Sequence, residues 1–363
     1  GHGSGVMGTD RHVGHSTPGA FATLIPRCPN IHGMKATARA HPIQGLVKYH
    51  GMRDEERRLP YHDSISLCTA PTATTTTVEW EPDSREDTYV IGGEPVEGRA
   101  AERIDAVVDH VRELAGIDHA VRLESQNSFP SNIGFGSSSS GFAAAALALT
   151  EAADLVLSRS DVSTVARRGS SSAARSVTGA YSVLTAGLND ADCRSTRLDV
   201  GVGDDGFDPE SDLRIVAAHV PAYKETEAAH REAAESHMMQ ARTAHVQDQL
   251  VEMRDALRAG DFDRIYRTAE HDSLSLTATT MTGPAGWVYW QPETIAVFNA
   301  VRALREEGVP VYFSTDTGAS VYVNTRTEHV DTVESRVADV GVDTDVWEVG
   351  GPAHVLDASA ALF

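Results

Sequence analysis

Residues 129–142 read Phe-Pro-Ser-Asn-Ile-Gly-Phe-Gly-Ser-Ser-Ser-Ser-Gly-Phe and run straight into an alanine- and leucine-rich stretch ending near residue 157. Gly134 and Gly136 let the backbone approach a ligand, the hydroxyls of Ser137 to Ser140 follow, and a helix predicted over 141–157 begins at once. Amides at a helix N-terminus, joined by serine hydroxyls, form a cradle for phosphate. A flexible Gly/Ser linker shares this composition, but linkers do not lead directly into a long apolar helix. The stretch is not a P-loop of the G-x-x-x-x-G-K-[ST] type, because no Gly-Lys pair occurs in the chain.

Outward from this loop the pattern mixes strands and helices. Upstream, 72–82 alternates and is rich in β-branched residues, 88–98 reads as a hairpin around Gly92-Gly93, and 119–128 reads as a strand. Between them, 100–116 puts Ile104, Val107, Val108, Val111 and Leu114 on one helical face and stops at Gly116. Downstream, a helix is predicted through 171–184. The acidic, Gly-rich stretch 200–212 reads as a linker. A strand at 213–220, a long helix from about Thr226 to Ala259, shorter helices, a helix over 292–307, a hairpin over 309–324, a helix over 327–340 and a strand over 344–349 follow. Helices and strands interleave without strict βαβ alternation, which predicts an α+β fold in two domains, 34–209 and 210–363. Residues 1–33, rich in Gly and His and followed by Met34, read as a leader or disordered extension.

Three further segments carry groups suited to chemistry. In 166–181, Arg167 and Arg168 precede Ser170, Ser171 and Ser172, and Arg175 sits among Ala173, Ala174, Gly179 and Ala180. Guanidinium suits the planar geometry of carboxylate and phosphate, although a surface arginine paired with an acid fits the segment equally. Lys48 falls in an apolar, strand-like stretch, where a snorkelling edge lysine is the ordinary reading. Asp316 lies in the turn of the 309–324 hairpin, a common place for aspartate. Its Asp-Thr-Gly-Ala-Ser setting looks like the active-site turn of aspartic proteases. That chemistry needs two carboxylates sharing a proton, and a second such turn is absent, so only a homodimer could supply it.

Composition removes whole classes of function. The 363 residues carry 52 acids against 31 bases, a net charge of −21. That balance opposes nucleic-acid binding and attachment to anionic membranes. No run of 18 apolar residues is present. Three widely spaced cysteines, Cys28, Cys68 and Cys193, fit no zinc pattern and suit a reducing cytoplasm. Lysine occurs only at Lys35, Lys48 and Lys224, so 28 of the 31 bases are arginine. Abundant acid with scarce lysine is the pattern of proteins that work in high salt, where screening removes the self-repulsion. In such a chain a retained lysine is a stronger candidate for chemistry.

Taken in order, these segments resemble one family. Pro130-x-x-x-Gly134-Phe135-Gly136-Ser137-Ser138-Ser139 resembles the phosphate loop of the GHMP kinases, with Phe135 where leucine is usual. Lys48-Tyr49-His50-Gly51-Met52-Arg53-Asp54, followed by Leu59-Pro60, resembles the Lys-Tyr-Trp-Gly-Lys-Arg-Asp…Leu-Pro segment of mevalonate diphosphate decarboxylases. The run from Gly169 to Ser176 looks like their Gly-Ser-Gly-Ser-Ala-Cys-Arg-Ser, and Asp316-Thr317-Gly318 falls where they carry Asp-Ala-Gly. The resemblance covers essentially all of 36–350. It implies the two-domain GHMP kinase fold, with an N-terminal domain like that of a ribosomal protein, a ferredoxin-like C-terminal domain and the site between them.

The resemblance also implies ATP and Mg²⁺ as cofactors, an isoprenoid precursor as substrate and a cytoplasmic enzyme, with a homodimer as the assembly to expect. Asp316, Lys48 and Arg175 would be catalytic. Gly134, Gly136, Ser137 and Ser139 would hold ATP, with Mg²⁺ bound mainly through its phosphates. Tyr49, Ser138, Ser170, Ser172 and Arg175 would hold the substrate. Met52 replaces the family's lysine at the substrate's phosphate tail, which points to mevalonate 5-phosphate instead of the 5-diphosphate. His50 replaces the usual tryptophan, and the segments before Lys48 and around His62 also depart from the pattern. Mevalonate 3-kinases of the same family stop at phosphorylation and lack the lysine and arginine, whereas Lys48, Arg175 and Asp316 are all present here. The same three residues argue against a catalytically silent sensor.

The composition generates a test. Activity and folding are expected to improve from dilute buffer to molar KCl, followed by turnover and circular dichroism across a salt series. Full activity and stability at low ionic strength would contradict the reading of a salt-adapted surface.

Overall fold

The computed structural model describes residues 34–129, 135–222 and 226–363, and the side chains of all of these except 226 and 227. The expected leader, Gly134 and Lys224 therefore lie outside the described residues. The first part of the chain forms β1 (Lys35–Ala40), β2 (Ile43–Val47), β3 (Met52–Asp54), β4 (Leu59–Pro60), β5 (Ser64–Ala70), β6 (Thr74–Glu81), β7 (Thr88–Ile91) and β8 (Glu94–Pro95). It continues with α1 (Arg99–Ala115), β9 (Ala120–Asn127), α2 (Ser137–Ala152), α3 (Arg159–Gly169), α4 (Ala173–Thr178), β10 (Tyr181–Thr185) and β11 (Arg194–Arg197). The second part forms β12 (Leu213–His219), α5 (Thr226–Glu235), α6 (Met239–Ala259), α7 (Phe262–Met281), α8 (Pro292–Glu306), β13 (Val311–Ser314), β14 (Val321–Arg326), α9 (Val330–Ala338), β15 (Asp343–Val349) and β16 (His354–Leu356).

Two large sheets organise these elements, and the fold is the expected α+β arrangement. One sheet has the order β16-β1-β6-β9-β7-β8. The other runs β11-β10-β5-β15-β12-β14-β13, with β2 also paired to β5. Strands from both sides of the 209/210 division meet where Val349 and Glu348 pair with Thr69 and Ala70. The closing strand β16 returns to β1.

Each sheet buries its apolar face under helices. α1 uses the predicted face, burying Ile104, Val107, Val108 and Val111, and ends on a left-handed Gly116 whose N–H bonds the Arg112 carbonyl. α2 is alanine-rich, so Ala143, Ala144, Ala146 and Ala148 are fully buried in the core shared with Ala38, Ala40 and Val78. Small side chains let this helix lie close on β1 and β6, and so bring its N-terminus near the sheet edge. The second sheet packs Leu213, Ile215 and Ala217 against Val246, Met253, Leu257 and Tyr266 of α6 and α7. Its other face packs Val216, Phe313 and Val323 on Val297, Val301 and Val333 of α8 and α9. No described helix is long and apolar enough to cross a membrane.

Four local expectations change. The helix after the serine loop starts at Ser137, because the turn is already made by left-handed Gly136, and it ends at Ala152 ahead of Asp154, whose φ is +52°. The helix expected over 171–184 stops at Thr178. Gly179 has φ +73°, a Cβ there would meet Pro352 backbone at 2.2 Å, and Tyr181–Thr185 pairs with β5 as a strand. The helix expected over 226–259 breaks into α5 and α6, where the Ser236 hydroxyl accepts from the Met238 amide at 3.0 Å and bonds Thr282 at 2.7 Å. The stretch 200–212 is packed rather than a loose linker. Gly201 donates to the Leu257 carbonyl at 2.9 Å, a Cβ at Gly201 would lie 2.0 Å from the Arg258 oxygen, and Phe207 is buried.

Candidate active site

Lys48 follows directly on β2 and is 5% exposed, so the reading of a snorkelling edge lysine fails. Its amide donates to Asp272 Oδ2 at 2.9 Å, and its ammonium donates to Ser273 Oγ at 3.0 Å with Asp272 Oδ2 at 3.6 Å. Arg242 closes the arrangement, donating to the Lys48 carbonyl at 2.7 Å and to Asp272 Oδ1 at 3.0 Å. Burial holds the Lys48 ammonium below its ordinary pKa, while the nearby Asp272 and Asp316 carboxylates oppose that shift. Neither Asp272 nor Arg242 stands out in the sequence, because each reads as an ordinary polar position on a long, polar helix.

Asp316, in the turn between β13 and β14, reaches the same place from the other side. Its Oδ1 accepts from the Gly45 amide at 3.1 Å, and its Oδ2 accepts from the Tyr322 hydroxyl at 3.2 Å. Burial first, and then Asp316 itself, push the Tyr322 phenol well above its ordinary pKa, so it stays a donor. A Cβ on Gly45 would lie 2.6 Å from Lys48 Cγ and 2.8 Å from Asp316 Oδ1. Glycine at 45 is what allows the lysine and the aspartate to share this space. Asp316 thus hydrogen-bonds a tyrosine and a backbone amide and shares its space with a lysine.

Arg175 lies in α4, 3% exposed among the small residues noted in the sequence. Its Nε and Nη1 have no hydrogen-bond partner among the described residues, and its guanidinium stands 5.6 Å from the centre of the Tyr49 ring. Burial lowers its pKa, and Tyr49 and Asp316 counter that. A buried guanidinium with unmet donors is costly unless an anion completes it, at about 1–3 kcal/mol per unsatisfied group. Tyr49 is buried and stacks on His230 with ring centres 5.1 Å apart. His50, in the place of the family's tryptophan, bonds His230 at 3.2 Å and Thr280 at 2.7 Å. Burial drives the His50 pKa well down, so it supports the Tyr49–His230 stack as a neutral ring.

The serine loop closes the opposite wall. Gly136 has φ +71°, no side chain among the described residues caps the start of α2, and a Cβ at Gly136 would lie 3.2 Å from the Ile43 carbonyl. Ser137 and Ser138 line the cavity from the first turn. Ser139 also lines it, but its hydroxyl is committed, donating to the Gly136 carbonyl at 2.6 Å and accepting from the Ile43 amide at 3.2 Å. Its part is to fix the loop against β2. Phe135 anchors the loop from below, edge-on to Tyr322 and Trp347 with ring centres at 4.9 and 4.8 Å. Ser170 and Ser172 line the cavity and bond each other at 2.8 Å, whereas Arg167 and Arg168 turn away to Asp190.

All these described candidates converge on one cavity of about 680 Å³. It also collects Arg58, one of the arginines close enough in sequence to Met52 to make good its missing charge, and Arg99, Arg103 and Arg231, which sequence reasoning missed as ligand residues because an isolated arginine in an arginine-rich chain gives no signal. A protein of net charge −21 has therefore built a cationic cavity, which focuses the field on an anionic ligand.

A helix start behind a Gly/Ser loop, facing a half-buried aspartate and a buried lysine and arginine, defines a GHMP-type phosphoryl-transfer site. The particular family follows from known proteins. Residues 40–195 match the diphosphomevalonate decarboxylase-like N-terminal domain. Over 331 residues the chain is 75% identical to the phosphomevalonate decarboxylase of Haloferax volcanii, covering 91% of this chain and all of that one. The crystal structure of mevalonate diphosphate decarboxylase from Staphylococcus aureus has a TM-score of 0.83 at 28% identity, covering 89% of this chain and 98% of that one. A relative solved in complex with MVAPP, AMPPCP and magnesium has a TM-score of 0.82 at 27% identity, covering 89% and 99% of the two chains. The chain belongs to the diphosphomevalonate decarboxylase-like family.

The crowding at Gly45 gives a sharp test. Gly45→Ala is expected to lower kcat by at least about 10²-fold, because either Lys48 or Asp316 must move. Turnover and thermal melting check it, and wild-type turnover in Gly45→Ala would contradict the assigned juxtaposition.

Proposed function

We propose that the chain catalyses the ATP-dependent decarboxylation of mevalonate 5-phosphate to isopentenyl phosphate, releasing ADP, phosphate and CO₂, as a cytoplasmic step of isoprenoid biosynthesis. The observation that carries this reading is the meeting of three groups in one buried cavity: the anchored Asp316 carboxylate, the Lys48 ammonium, and the Arg175 guanidinium with two unmet donors. The high identity to the Haloferax volcanii protein over its whole length supports the choice of the monophosphate.

The chemistry follows from what each group can do. A tertiary hydroxyl is a poor leaving group, and phosphorylation corrects that. Asp316 accepts the hydroxyl proton as the oxygen bonds to the transferred phosphoryl group; the Gly45 amide and the Tyr322 hydroxyl hold the carboxylate in its acceptor orientation. Lys48 offsets the charge that gathers on that oxygen and on the phosphoryl group. Arg175 pairs with the substrate carboxylate and aligns the carbon–carbon bond that must break. The carbon–oxygen bond then cleaves with phosphate departing, the carboxylate leaves as CO₂, and its bonding pair becomes the alkene.

The start of α2 fits the phosphate chain of ATP, since the left-handed glycine and uncapped first turn turn amides and the Ser137 hydroxyl toward the cavity. Magnesium, bound through those phosphates, would neutralise their charge.

The diphosphate is the second reading, and a specific observation favours it. Arg58 lines the cavity together with Met52, so the positive charge missing at position 52 is not missing from the cavity. Side-by-side kinetics separate the two. kcat/KM for mevalonate 5-phosphate is expected to exceed that for the 5-diphosphate by about 10- to 100-fold, and equality or reversal would overturn the monophosphate reading. Asp316→Asn is expected to abolish ADP and CO₂ release together, with kcat down on the order of 10²-fold or more. Near wild-type turnover in that variant would contradict the mechanism.

A further inference from the structure

The β3–β4 hairpin carries three arginines, Arg53 in β3 and Arg57 and Arg58 in the turn, and the structure sends them to different places. Arg53 spends its guanidinium on the Ala186 and Gly187 carbonyls at 2.8 and 2.7 Å. Arg57 is exposed and pairs with Asp54 at 3.9 Å. Arg58 lines the cavity. Its backbone has φ +56°, a left-handed conformation that a side-chain-bearing residue adopts at a cost and that clusters at functional sites. The turn is held there from beneath, with the Arg58 carbonyl accepting from Ser171 Oγ at 2.6 Å and the Arg57 carbonyl accepting from the buried Arg167.

Ser171 also fixes where Arg58 stands. The same hydroxyl lies 3.7 Å from Met52 Sδ, and Ser170 and Ser172 flank it on the cavity wall. The cavity therefore has two ends. At one, Asp316 and Lys48 meet across Gly45. At the other lie Tyr49, Ser171, Met52 and Arg58, and Arg175 stands between, close enough to act on both Asp316 and Tyr49. Met52 brings no donor to the second end. A substrate whose hydroxyl and carboxylate sit at Asp316 and Arg175 must place its remaining anion there, and a phosphate monoester needs a cation to meet it.

We propose that Arg58 is a substrate-binding residue of this site: the strained β3–β4 turn delivers its guanidinium beside Met52 to bind the phosphate at the substrate's far end. The inference rests on the functional reading above, and the strain at position 58 then has a purpose. It aims a forked donor set into the cavity from a hairpin whose other two arginines turn to the Ala186 and Gly187 carbonyls and to Asp54.

Four proteins in molar KCl test it: wild type, Arg58→Gln, Arg58→Lys, and Arg58→Gln combined with Met52→Lys. Arg58→Gln is expected to raise KM for mevalonate 5-phosphate about 10- to 100-fold while kcat and KM for ATP stay within about threefold. Arg58→Lys is expected to recover part of the loss, and the double variant to recover it from the other side of Ser171. An unchanged substrate KM in Arg58→Gln would overturn the assignment. So would a loss that raises the KM values for ATP and substrate alike and that neither lysine restores, since that pattern belongs to a turn that merely holds the fold. If wild type releases no CO₂ from mevalonate 5-phosphate, the functional reading falls and this inference with it. If wild type turns it over with a KM indifferent to residue 58, the role of Arg58 alone falls.

Discussion

The site hangs on one buried carboxylate. Asp272 is fully buried on α7 and accepts from the Lys48 amide, while Arg242 of α6 grips both the carboxylate and the Lys48 carbonyl. A charge so buried is tolerable only when paired and hydrogen-bonded, and removing one partner of such a pair typically costs about 3–5 kcal/mol. Here the pairing does more than satisfy charges, because it clamps the peptide on both sides of Lys48. The neighbouring residue extends the clamp: Ser273 Oγ accepts from the Lys48 ammonium and from the Thr315 amide, next to Asp316. One turn earlier, Glu270 takes the Phe313 amide and Arg305. A single stretch of α7 thereby sets the end of β2 and the β13–β14 turn against each other, and the gap left at Gly45 is where the lysine and aspartate meet.

The cavity groups were legible because each broke a local expectation. Lys48 was a lysine in a chain that hardly uses lysine, Arg175 a long side chain among alanines, and the serine loop a flexible composition joined to a rigid helix. Their support was not legible. Asp272, Arg242 and Glu270 occupy helices with many acids and arginines, and nothing in a polar helix says which charges face inward until its partner strand is placed. The same limit explains the errors of local structure. Gly179 and Ser236 break predicted helices, and both breaks are enforced by tertiary contacts, with Pro352 backbone at the first and Thr282 at the second. Ser139 was legible as part of the loop but not as its anchor, since its partner Ile43 lies far away in sequence.

The charge distribution links this architecture to its solvent. The chain carries a net charge of −21, while a phosphorylated substrate and ATP are anions that must be drawn inward. Gathering arginines and Lys48 around one cavity reconciles the two demands, and ions screen the buried Lys48 and Arg175 far less than they screen exposed charges. Guanidinium also suits the task better than ammonium, since it is less strongly hydrated and meets carboxylate or phosphate through a fixed fork.

The central claim is that Asp316 and Lys48 direct phosphorylation of the substrate's tertiary hydroxyl, and that this same oxygen leaves with the phosphate. Mevalonate 5-phosphate labelled with ¹⁸O in that hydroxyl, turned over with unlabelled ATP in molar KCl, tests it most directly. The account predicts one ¹⁸O in each inorganic phosphate released. Unlabelled phosphate accompanying a full yield of CO₂ would contradict it.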